Sequence, residues 1–184
     1  MPRLSLPSLF TTVLLAVAVL STTAPALADA AQETAAPARV SVTYVNPEKF
    51  TENRLFGMQD RFNHIDYLTE LKDYLIKRGE KILAPGQHLH VNITDIRLAG
   101  AYEPSSGAQS DHIRMMRDVY PPRVDLDFQL TDQDGKVLRE GKRVLRDLNY
   151  LRSNLSAPGA RSGESLFYDK ALLDSWLRGG PDKL

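Results

Sequence analysis

Apolar and polar residues alternate with a period of two in three stretches of the chain, and recur at three- and four-residue steps in two others. Val40, Val42 and Tyr44 against Ser41 and Thr43 predict a first strand, stopped at Asn46-Pro47. A polar and aromatic connection with some helical turns follows over residues 48–63. Ile65, Leu68, Leu71, Leu75 and Ile76 then predict an amphipathic helix capped by Asn63 and ended near Gly79. After Pro85-Gly86, Leu89, Val91 and Ile93 face one way and His88, His90, Asn92 and Thr94 the other, which predicts a strand with one polar face. Val124, Leu126, Phe128 and Leu130 against Asp125, Asp127 and Gln129 give the clearest strand. Asp132-Gln133-Asp134-Gly135 turns it into a hairpin partner over residues 136–148, with a bulge or bend expected at Glu140-Gly141. A second helix is expected over residues 165–178, closed by Gly179-Gly180-Pro181.

These elements predict an α/β two-layer sandwich in the order β-α-β-β-β-α. Its sheet has about four strands, mixed and mainly antiparallel, with the two amphipathic helices on one face. Residues 101–119, with Pro104-Ser105-Ser106-Gly107, are expected to form a long loop within a single domain spanning 39–184.

The first 28 residues follow a different rule. Arg3, an apolar stretch from Leu9 to Leu20 and the triplet Ala26-Leu27-Ala28 have the three parts of a secretory signal peptide, with cleavage after Ala28 or Ala30. The apolar stretch falls short of the roughly 20 residues that cross a bilayer. Residues 29–38, rich in Ala, read as a flexible tether. The chain has no Cys, which removes disulfides, thiolate chemistry and a lipidated N-terminus. Its 23 basic side chains balance 23 acidic ones, so no net field favours nucleic acid or an anionic membrane surface.

Candidate chemistry is sparse. His88-x-His90 and Asp125-x-Asp127 each put two ligand types on one face of a strand, and pairing of the two strands would converge four nitrogen and oxygen ligands suited to zinc, copper or nickel. The competing reading is the solvated face of a half-open sheet. His64 and His112 have no partner by spacing. Asp95 lies in phase with Leu89, Val91 and Ile93 and is expected to point inward, toward Arg97, Arg123 or Arg146, since a buried carboxylate needs such a partner. Asp95 and Arg123 are therefore the buried polar candidates. Tyr120-Pro121-Pro122-Arg123 reads as an extended entry into a strand. No nucleophile elbow, phosphate loop or H-E-x-x-H occurs, so no catalytic residue and no cofactor is assigned.

Four ordered segments carry a resemblance: Val91-Asn92-Ile93-Thr94-Asp95-Ile96-Arg97-Leu98-Ala99-Gly100, Tyr120-Pro121-Pro122-Arg123-Val124, Arg146-Asp147-Leu148-Asn149-Tyr150, and Tyr168-Asp169-Lys170 through Asp174-Ser175-Trp176. Over about Arg39 to Leu177 the chain resembles the bacterial exported family of unknown function numbered 3016. The resemblance implies a small periplasmic protein of Gram-negative bacteria and carries no activity to any residue. The expected function is a periplasmic binding or accessory module of the cell envelope, its partner an envelope protein or a small ligand. A metal-binding protein and a small enzyme are the alternatives. N-terminal sequencing of protein released by osmotic shock is expected to begin at Asp29 or Ala31; a chain that begins at Met1 and sediments with membranes would identify a signal anchor instead.

Overall fold

The computed structural model describes residues 38–62, 66–103, 113–153 and 164–184. The expected signal peptide, the tether up to residue 37, Asn63, His64 and His112 lie outside them. Four strands form the main sheet in the order β1-β2-β5-β6: β1 (Val40–Tyr44), β2 (His88–Arg97), β5 (Arg123–Thr131) and β6 (Val137–Arg146). β1 runs parallel to β2, and the other two pairings are antiparallel. A parallel pair needs a long crossover. Here it consists of a short 3₁₀ turn, α1 (Thr51–Phe62) and α2 (Tyr67–Ile82). A one-turn α3 (Tyr150–Ser153) follows β6, and the whole is the expected sandwich, with α2 and α4 (Phe167–Leu177) joining the sheet in one apolar core.

Several boundaries differ from the periodicity for identifiable reasons. Residues 48–62 are mostly helix: α1 runs three turns. The helix expected to end near Gly79 continues to Ile82, with Asp66 capping it by accepting from the Thr69 amide at 3.1 Å. Gly79 serves close packing, since a Cβ there would stand 3.0 Å from a Val40 methyl on β1. The segment expected as a loop over 101–119 is pinned at its described ends, where β3 (Ala101–Tyr102) pairs antiparallel with β4 (Arg114–Met115).

Two irregularities set the sheet's faces. In β2, Ile93 stands opposite Leu126 and Asp95 opposite Asp125, so Thr94 is an extra residue and the strand bulges. Side-chain parity inverts there: Leu89, Val91 and Ile93 are buried before the bulge, Ile96 and Leu98 after it. In β6 the irregularity sits at Leu138 near the turn, and Gly141 pairs regularly with Phe128. The bend expected at Glu140-Gly141 is absent because the missing Cβ serves another purpose. It makes room for the Arg143 guanidinium, which lies 5.0 Å from the Phe128 ring centroid and donates to the Leu184 carbonyl at 2.6 Å.

Beyond Arg97 the chain turns at Gly100, whose φ is 81°, and three buried carboxylates gather around that turn. Glu52 accepts from the Leu98 amide at 2.8 Å and Asp169 from the Ala99 amide at 3.0 Å. Arg114 donates to the Ala99 and Gly100 carbonyls and forms ion pairs with both Glu52 and Asp60. Its guanidinium lies 4.8 Å from the Tyr102 ring and 5.4 Å from that of Phe56, while the Tyr102 hydroxyl donates to Asp60 at 2.9 Å. This cluster fastens α1, α4 and the β3–β4 ribbon to the end of β2.

Burial pushes the Asp169 carboxyl up to about 7, against the pull of the Ala99 amide, and raises Glu52 to about 7 against Arg114. Between about pH 4.5 and 7 the folded chain therefore holds protons that the unfolded chain has released, and its stability falls as pH rises through that window. At about 1.4 kcal/mol per pKa unit, Asp169 accounts for a loss on the order of a few kcal/mol. In urea denaturation the parent chain is expected to be less stable at pH 8 than at pH 5, and Asp169→Asn, which keeps an oxygen acceptor for Ala99, should flatten that slope. An unchanged slope in the variant would place the proton elsewhere.

Candidate functional site

Helices cover one face of the main sheet, and the other face is assembled from the alternate residues of each strand. In register across it stand Ser41 and His90, Thr43 and Asn92, Gln129 and Glu140, and Asp127 and Lys142. Neighbours on this outward face bond to each other. Ser41 Oγ lies 2.6 Å from His90 Nδ1, Thr43 bonds to Asn92, Gln129 donates to Glu140 at 3.1 Å, and Lys142 reaches Asp127 at 3.5 Å. Most of these side chains are exposed or half-buried. β1 and β6 are the edge strands, and Val144 on β6 is 64% exposed.

The four residues considered as metal ligands all lie on this face, but the register disperses them. His88 stands opposite Thr131, His90 opposite Gln129, Asp127 opposite Asn92 and Asp125 opposite Asp95. Both oxygens of Asp125 accept from Arg123, at 2.6 and 2.8 Å. Among the described residues, no three His, Cys, Asp or Glu side chains gather as a metal site.

At the far end of the same face, polar residues close around a cavity. Arg97 on β2 is directly opposite Arg123 on β5, and Arg123 directly opposite Arg146 on β6. Three guanidiniums thus stand in a row across three strands, lining a cavity of about 260 Å³ with Thr51, Asp95 and Pro121. The Thr94 bulge produces this arrangement: it carries Asp95 and Arg97 out of the core parity and onto the outward face. Asp95, expected to be buried, is half-buried there, and the Arg123 side chain is 45% exposed. Two carboxylates stand beside the row and offset part of its charge. Asp95 accepts from the Thr51 amide at 2.6 Å and the Thr51 hydroxyl at 2.7 Å, capping the first turn of α1 from a neighbouring strand. Asp125 is engaged bidentately by Arg123. Arg97 and Arg146 form no ion pair among the described residues, and the Arg97 Nε is buried with no acceptor among them. Buried Pro121 and Pro122 fix the extended entry of β5 that positions Arg123.

Sequence reasoning named Asp95, Arg97, Arg123 and Arg146 together, as an acid among its partners; it missed the row because strand register was unknown. Counting back from the Asp132–Gly135 turn pairs Arg123 with Arg146 only once the extra residue in β6 is included. The Glu52–Asp60–Arg114–Asp169 cluster left no comparable trace, since its members are scattered along the chain.

A larger groove of about 380 Å³ lies between α2 and α4, where Arg78 pairs with Asp174 at 2.7 Å and Arg178 also lines the wall. No described helix is long and apolar enough to cross a membrane.

A family model described as a protein of unknown function, DUF3016, matches residues 38–179. No curated protein and no solved structure matches the chain.

Asp95→Ala leaves the first turn of α1 without its acceptor and is expected to cost about 1–2 kcal/mol in urea denaturation, the range of a lost helix cap. Asp95→Asn, which keeps an oxygen for the Thr51 amide, should recover much of that. Equal losses in the two variants would mean that charge, and not the cap, sets the effect.

Proposed function

The chain belongs to the DUF3016 family, and on that premise we propose that it is an exported binding module of the cell envelope that engages its partner through the outward face of the main sheet. The observation that carries this reading is the asymmetry of the sheet. One face is buried under α2 and α4, and the other presents hydrogen-bonding side chains from all four strands, ending in the arginine row. A broad polar face on a rigid sheet suits recognition, because its groups are held in register by the backbone and lose little freedom when a partner binds. The signal-like segment at residues 1–28 supports export. A metal-binding role would need ligands that the register keeps apart.

A photocrosslinking residue installed at Gln129 or Lys142, on the outward face, is expected to give reproducible adducts in the periplasm. The same residue at Lys77, exposed on α2, should give none. Adducts from Lys77 alone, or equally from both faces, would move the interaction surface away from the sheet.

A further inference from the structure

We propose that the cavity at Arg97, Arg123 and Arg146 binds a phosphate group. This rests on the outward face being the binding surface and names the chemistry recognised at its end.

Like charges placed directly opposite one another on neighbouring strands destabilise a sheet. Here three stand in one row, beside two carboxylates, Asp95 accepting from Thr51 and Asp125 paired with Arg123 itself. Among the described residues three cations stand against these two anions, which leaves the cavity net positive and attractive to an anion. The buried Arg97 Nε, like that of Arg114 in the interior cluster, has no acceptor among the described residues.

The number of guanidiniums selects the class of anion. One bidentate arginine saturates the two oxygens of a carboxylate, as Arg123 already does for Asp125. Arg97 and Arg146 flank that pair with their donors uncommitted, and two arginines approaching from opposite sides match the three or four oxygens of a tetrahedral phosphate. The volume of about 260 Å³ leaves room for part of whatever carries the phosphate, and the cavity opens beside the polar ladder along which the remainder of a ligand would lie.

Isothermal calorimetry of the mature chain with inorganic phosphate is expected to show saturable binding that weakens with added salt, and at least tenfold weaker binding in Arg97→Gln and in Arg146→Gln. Because neither side chain has an ion-pair partner to lose, both variants should melt no lower than the parent, and a rise in Tm accompanying the loss of binding is the signature of a row held together for a ligand. Absence of phosphate binding, binding of acetate as tight as that of phosphate, or full binding in both variants would overturn the proposal. Co-sedimentation with phosphatidylglycerol vesicles, reversed by free phosphate, would identify a lipid headgroup as the source; phosphate binding without co-sedimentation would identify a soluble phosphate compound. Failure of the phosphate arm with crosslinks at Gln129 intact would remove this site and leave the binding face standing.

Discussion

Arg114 is held between Glu52 and Asp60 in the interior of the molecule, and most of the arrangement around it follows from the cost of keeping it there. A guanidinium removed from water is tolerated only when its charge is matched and its donors are used. The chain matches the charge and engages both terminal nitrogens by bringing α1 up to the end of β2, pairing β3 with β4, and setting two carbonyls of the Leu98–Gly100 turn against the same side chain, while the Arg114 Nε has no acceptor among the described residues. Loss of Arg114 would leave two buried carboxylates without a counter-charge, far costlier than the loss of an exposed pair such as Lys142 with Asp127. The cluster also separates two functions of the fold. Its acids serve backbone amides and one internal cation, whereas the arginines of the outward face have few internal acids to serve.

The apolar faces of the strands and of α2 and α4 were legible in the sequence, because burial on one side of a regular element leaves a period. So was the hairpin, through Asp132 and Gly135. What escaped was whatever depends on a single inserted residue. Thr94 inverts the parity of everything after it in β2, so Asp95, in phase with Ile93 by simple alternation, emerges on the other face beside Arg97. The Gly141 position misled for the opposite reason: a glycine that breaks an apolar pattern suggests a bend, but here it accommodates a neighbouring side chain. The buried charges were invisible for a third reason, since Glu52, Asp60, Arg114 and Asp169 meet only after the chain has folded.

Function follows the same division. The histidines of β2 and the aspartates of β5 are on the expected face, and register decides their neighbours: His90 meets Ser41, Asp125 meets Arg123 and Asp127 meets Lys142. Register likewise aligns three arginines that are far apart in the chain. A one-residue slip in either pairing would scatter the row, so the hydrophobic pattern that secures the core also secures the spacing of the charges.

Within the four-stranded sheet β1 alone lies parallel to its neighbour, and its Ser41 contacts a residue 49 positions further along, His90. The β5–β6 hairpin closes through one short turn and recovers its loop entropy at once, whereas β1 can dock only after α1 and α2 have carried the chain back. Until β1 arrives, the edge of β2 stands open to any extended segment within reach. The longest-range pairing in the sheet is thus the one that covers the β2 edge, and a molecule lacking it is the form most exposed to trading strands with another copy of itself.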